Sequence, residues 1–137
     1  MRPDLDDLLC QRYPRIFGDR HGDKTETSMC WGFCCGDGWF EIIDELCAEI
    51  STQVNAGKMP IVVARQVKEK IGSLRFYIRG GNDESRRLIE LAREKSVLVC
   101  DECGLPKQVI PATPWQTLCM ACAAKGERKE ISEDDLK

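Results

Sequence analysis

Long apolar runs are missing from this chain. No stretch of about 18 uninterrupted apolar residues occurs in its sequence, so no membrane-spanning helix is expected. The opening Met1-Arg2-Pro3-Asp4-Leu5-Asp6-Asp7 is acidic and has no apolar core, so it does not read as a secretory signal. Histidine is nearly absent: His21 is the single one. Any cysteine–histidine catalytic pair would need His21 as its base. It lies in a Gly/Asp-rich stretch with no visible orienting partner, so it reads as a solvated loop residue. An excess of either charge is also lacking, with a net of -3. A DNA-coating protein would be basic overall, and a DNA mimic far more acidic.

Cysteine, by contrast, is abundant, with nine in 137 residues. Without a secretory signal the expected location is the reducing cytoplasm. There cysteines more often hold metal than form disulfides. The modest net charge hides a segregated pattern. Residues 25–57 carry six acidic and no basic side chains, and residues 58–80 carry six basic and one acidic.

The apolar periodicity predicts a short helix over 3–13, with Leu5, Leu8 and Leu9 on one face and Pro14 ending it. Residues 18–28 are polar and aperiodic, a surface loop. A longer helix is predicted over 38–55. Asp37 is its expected N-cap, Trp39, Ile42, Ile43, Leu46, Cys47, Ile50 and Val54 its apolar stripe, and Gly57 its stop. Residues 61–79 read as a hairpin of Ile61–Lys70 and Leu74–Arg79 about a Gly72-Ser73 turn. That register opposes Val67 to Ile78 and Glu69 to Phe76. Val63, Val67, Ile71, Leu74, Phe76 and Ile78 then share one face. Gln66, Lys68, Lys70, Arg75, Tyr77 and Arg79 share the other. Glu69 is the odd residue on the apolar face, and Arg65 is its expected partner unless a bulge turns it outward. Asn82 caps a third predicted helix, striped by Leu88, Ile89 and Ala92 and running to about Ser96.

Cys100-x2-Cys103 and Cys119-x2-Cys122, separated by fifteen residues, have the spacing of a zinc site. Each x2 turn aims two thiolates at one ion, and four thiolates leave no open position, so such a site is structural. Gly104 suits a turn needing positive φ. Lys107–Ile110 and Trp115–Leu118 suit the two strands of a zinc-ribbon hairpin. His21, Cys30, Cys34 and Cys35 are a weaker second metal candidate. The better reading makes Cys47 a core residue and Cys30, Cys34 and Cys35 small fillers near Trp31 and Phe33.

The expected architecture is α+β, with helices packed on a hairpin or antiparallel sheet over residues 1–97. A zinc-ribbon module over 98–124 and a charged tail over 125–137 follow. The basic hairpin face, Lys68, Lys70, Arg75, Tyr77 and Arg79, and the ribbon tip around Trp115 are the candidate binding surfaces. Cover by the acidic helix or by solvent is favoured for that face over nucleic acid. No catalytic constellation stands out.

Several strings together carry a resemblance: Cys35-Gly36-Asp37-Gly38-Trp39, Val63 to Tyr77, Gly80-Gly81, and the two cysteine pairs with Leu118 ahead of the second. With these in order over residues 10–124, the chain resembles a group of small proteins encoded by tailed bacteriophages and prophages. Cys30 and Cys34 lie outside the shared pattern. The resemblance implies a cytoplasmic protein of an infected bacterium and brings no catalytic residues. By analogy with small accessory phage proteins it implies a non-enzymatic binder of a bacterial host protein, such as an inhibitor of a defence protein. A nucleic-acid-binding regulator using the basic face is the alternative. An enzyme with a site around Cys30–Cys35 or Glu69 is the third reading.

Overall fold

A computed structural model of the chain describes residues 1–23, 27–107 and 117–124. Three helices and a three-stranded mixed sheet give an α+β fold. The elements are α1 (Pro3–Arg12), β1 (Phe33–Cys34), α2 (Phe40–Asn55), β2 (Val62–Lys70), β3 (Ser73–Gly80) and α3 (Asp83–Val97). Strand order is β1-β2-β3. β2 and β3 form the antiparallel hairpin, and β1 adds a short parallel edge that places Phe33 beside Val67 and Cys34 beside Lys68. No helix among the described residues is long and apolar enough to cross a membrane.

α2 follows its sequence pattern. Ile42, Ile43, Leu46, Cys47 and Ile50 are buried on one stripe, each large aliphatic side chain contributing roughly 1.5–3 kcal/mol. At its end Gly57 takes φ 73°. The Gly57 and Lys58 amides donate back to Val54 and Gln53, a Schellman stop. Its start differs from expectation. A 3-10 turn, Asp37–Trp39, precedes it and no side chain caps it. The Asp37 carboxylate instead accepts the Arg2 amide at 2.7 Å.

The hairpin turns one residue earlier than the sequence suggested. Ile71 and Gly72 occupy the loop with φ 51° and 83°, the two positive values of a type I′ turn. Ile71 is therefore exposed in the turn, not on the apolar face. The register opposes Val67 to Phe76 and Glu69 to Leu74. That is a shift by two, so Val67, Leu74 and Phe76 keep their inward face. A bulge between Ala64 and Gln66 changes the phase at the start of β2. Val62 and Ala64 point inward there, while Val63 is half-buried and Arg65 exposed. Glu69 finds no Arg65. Its Oε2 accepts the Gly72 amide of the turn at 3.1 Å.

α3 is capped as expected. The Ser85 amide donates to Asn82 Oδ1 at 3.1 Å, and the Asn82 amide donates to Ser85 Oγ at 2.8 Å, a capping box worth about 1 kcal/mol. Its small buried residues Ser85, Ala92 and Ser96 let it lie close to β3. Ser96 Oγ accepts the Leu74 amide at 2.8 Å, so the helix closes the outer edge of the sheet.

One cluster of buried side chains unites Leu9, Phe17, Met29, Phe33, Trp39, the α2 stripe, Val62, Ala64, Val67, Leu74, Phe76 and Ala92. Beside it runs a buried ion pair. Asp6 accepts from Arg20 Nε at 3.0 Å and Nη2 at 3.1 Å, and Arg20 Nη1 donates to the Cys30 carbonyl at 3.1 Å. This ties α1 and the following loop to the entry of β1.

Candidate functional sites

The structure brings Cys100, Cys103, Cys119 and Cys122 together, their sulfur atoms all within 4.8 Å of one another. Cys103 and Cys119 are 3.7 Å apart. Four thiolates so placed could hold one metal ion, and among the described residues no other group of three or more His, Cys, Asp or Glu has this geometry. The first pair sits on a turn in which the Gly104 amide donates to the Cys100 carbonyl at 3.0 Å. Gly104 has φ 78°, as its place after Cys103 suggested. The second pair opens a helical turn over residues 120–124. Backbone amides reach the sulfurs: Leu105 donates to Cys103, and Cys122 donates to Cys119. The amide of Cys122, and after it the thiols of Cys122, Cys100 and Cys103, lower the Cys119 thiol to about 7, because donated hydrogen bonds favour the thiolate.

This cysteine cluster is joined to the start of α2 at backbone distance. The Gly38 amide donates to the Asp101 carbonyl at 2.8 Å, and the Gly36 amide donates to Asp101 Oδ1 at 2.6 Å. Trp39 Nε1 donates to the Val99 carbonyl at 3.0 Å. A Cβ on Gly38 would overlap the Cys100 carbonyl oxygen and the Gly104 amide nitrogen, and one on Gly36 would overlap the Asp101 carbonyl oxygen. The Cys-Gly-Asp-Gly-Trp string is therefore a docking strip for the first cysteine pair. Sequence reasoning took it only for a helix cap. Two glycines flanking one aspartate were the available signal of close backbone approach.

Three further charged groups border the cluster. Burial lowers the Lys107 ammonium from its ordinary value, while Cys100, Asp101 and Glu69 act in the opposite sense. Burial raises the Asp101 carboxyl, opposed by the Gly36 amide. Glu69, tied to the turn, thus lies within electrostatic reach of Asp101 and Lys107. A lysine near four thiolates offsets part of their negative charge.

The other cysteines are dispersed. Cys47 and Cys35 are buried, Cys10 and Cys30 are half-buried, and Cys34 is exposed. Burial pushes the Cys35 thiol up to about 12 and Cys47 well above its ordinary value. Cys34 is no core filler: β1 turns it to the open side of the sheet beside Lys68. Trp31 is exposed as well. His21 lies exposed in its loop.

The basic hairpin residues occupy the sheet face opposite the core. Lys68 is directly across from Arg75, and its ammonium lies 5.9 Å from the centre of the Tyr77 ring. The acidic helix does not cover them. Its Asp44 pairs with Arg12 at 3.0 Å and accepts the Tyr13 hydroxyl at 2.6 Å. Its Glu45 pairs with Lys95 at 3.7 Å, and its Glu49 accepts from Gln53. Arg79 reaches Asp19 at 3.3 Å. Lys68, Lys70 and Arg75 form no ion pair among the described residues, and Arg75 Nε is shielded from solvent without a hydrogen-bond partner. Trp115, most of the first ribbon strand, half of the second and the charged tail lie outside the described residues. Comparison with protein-family models, with curated proteins and with solved structures gives no match.

Proposed function

We propose that this is a zinc-stabilised, non-enzymatic phage accessory protein that binds a bacterial host protein and, in doing so, blocks a defence function. Four thiolates match zinc's preferences and fill its tetrahedron, leaving no position for substrate or activated water. A Zn–S distance of about 2.3 Å implies sulfur separations of about 3.8 Å, close to the 3.7 Å between Cys103 and Cys119. The ion's role on this reading is to hold a segment with little apolar core of its own. The resemblance to phage proteins supplies the setting.

The observation that carries the binding role is a set of exposed apolar side chains near the four cysteines in sequence. Leu98, Leu105 and Met120, close in sequence to the four ligands, are 58%, 62% and 83% exposed. Large apolar side chains on a rigid support are what a protein contact desolvates. The test uses tagged, zinc-loaded chain to capture proteins from bacterial lysate, beside a Leu105→Glu/Met120→Glu variant that retains its metal. The expected result is one host protein held by the wild type and lost from the variant. Equal capture by both, or by neither, would sink the proposal.

A further inference from the structure

We infer that the open face of the hairpin is a binding site for single-stranded nucleic acid. It is separate from the exposed apolar side chains near the cysteines and goes beyond the protein-binding role above. Three observations carry it.

The first is charge without partners. Among the described residues Lys68, Lys70 and Arg75 make no ion pair and Arg75 Nε has no hydrogen-bond acceptor. Glu90 of α3 lies within electrostatic reach of Arg75, but its carboxylate is engaged by the Arg93 guanidinium, and Asp19 is engaged by Arg79. The α2 carboxylates Asp44, Glu45 and Glu49 are on the other side of the sheet and already engaged. Lys68, Lys70 and Arg75 therefore present a local positive field, bordered by the Arg79–Asp19 pair, on a chain whose net charge is negative.

The second is Tyr77, 45% exposed among these cations with the Lys68 ammonium at its ring. An aromatic ring on a sheet face gives an unstacked base a platform, and the flanking cations meet the phosphates. An acidic peptide has no comparable use for the ring.

The third is the state of the sheet edges. A peptide that bound by adding a strand would need a free edge. The β3 edge is closed by α3, with the Leu74 amide already donating to Ser96 Oγ. On the other side β1 pairs with Val67 and Lys68, and the Ser28 amide takes the Arg65 carbonyl. Recognition on this face falls to side chains.

The experiment is fluorescence anisotropy with the full, metal-loaded chain. The probes are labelled oligothymidylate and oligouridylate of about fifteen nucleotides and a DNA duplex of equal length. At least one single strand should bind, and at least tenfold tighter than the duplex. Four phosphate contacts give a log–log salt slope of about -3, or about a fifty-fold loss between 50 and 200 mM salt. Lys68→Glu/Lys70→Glu should abolish binding, and Tyr77→Ala should weaken it about tenfold. Lys95→Glu, on the helical side, should leave it within a factor of two. Thermal melts verify that each variant is folded, and Lys68→Arg should retain binding. The inference is overturned if neither strand binds at 20 mM salt or if the duplex binds as tightly. It is also overturned if polyglutamate competes as well as oligonucleotide, or if Lys95→Glu and Lys68→Glu/Lys70→Glu lose equally. Leu105→Glu/Met120→Glu should bind normally here, so failure of one proposal leaves the other standing.

Discussion

Two seams of this molecule solve one problem by different chemistry. At each, a remote piece of chain packs against a glycine, by its backbone at the first seam and by the ends of two side chains at the second. At the first, Gly36 and Gly38 receive the Cys100–Gly104 turn, and the four cysteines supply the fastening. At the second, Gly32 lies under the Asp6–Arg20 pair, which fastens α1 to the entry of β1. On the proposed reading the first needs an ion from outside, which its four cysteines could hold. The second is made wholly from the chain. The first should therefore open when metal is removed, and the second should not.

Metal removal is the largest effect expected. Metal binding at a structural four-thiolate site contributes on the order of 10 kcal/mol. Cys100→Ser, or chelation, should take zinc from one per chain to none, and lower Tm by more than about 10 °C. Trp39, which hydrogen-bonds the Val99 carbonyl across this seam, should shift its emission to the red. The far-UV spectrum should change little, because α2 and the hairpin share a core that contains no ligand. An unchanged Tm in chelator would show that the glycine contacts alone hold the seam.

The second seam should fail through its ion pair. Asp6 is buried and the Arg20 side chain is 22% exposed. Asp6→Ala leaves a guanidinium short of its main partner, at a cost of about 3 kcal/mol. Urea denaturation measures this, and the loss should be the same with and without chelator. A loss below about 1 kcal/mol would mean that water replaces the carboxylate without penalty.

The two seams were unequally legible in the sequence. The four cysteines announced themselves through spacing, because ligand chemistry fixes x2 turns locally. The α2 stripe and the Asn82 cap were legible for the same local reason. Arg20 was hidden in a polar run, since nothing in a loop's composition tells a solvated arginine from one folded back on a helix. The Gly36–Gly38 strip was seen, but its partner lies some sixty residues away and local rules offered only a helix cap. The bulge at Arg65 and the turn at Ile71-Gly72 escaped for a third reason. A β-branched residue at positive φ runs against backbone preference, and Gly72-Ser73 satisfied turn chemistry better.

The glycines separate the seams most finely. A methyl at Gly38 meets backbone atoms, which cannot rotate away. Gly38→Ala should cost about 3 kcal/mol and weaken zinc binding, since the turn carrying Cys100 must back off. A methyl at Gly32 meets the ends of two side chains, Arg20 Nη2 and Asp6 Oδ2, both at 3.0 Å. Those can give way, and the remaining cost is about 1–3 kcal/mol for an alanine at φ 81° and ψ -159°, a region essentially reserved for glycine. The discriminating measurement is the double mutant. In a Cys100→Ser background the first seam is already open, so Gly38→Ala should add almost nothing, while Gly32→Ala should keep its full effect. If Gly38→Ala were equally costly with and without Cys100, its strain would lie within α2 and not against the cysteine turn.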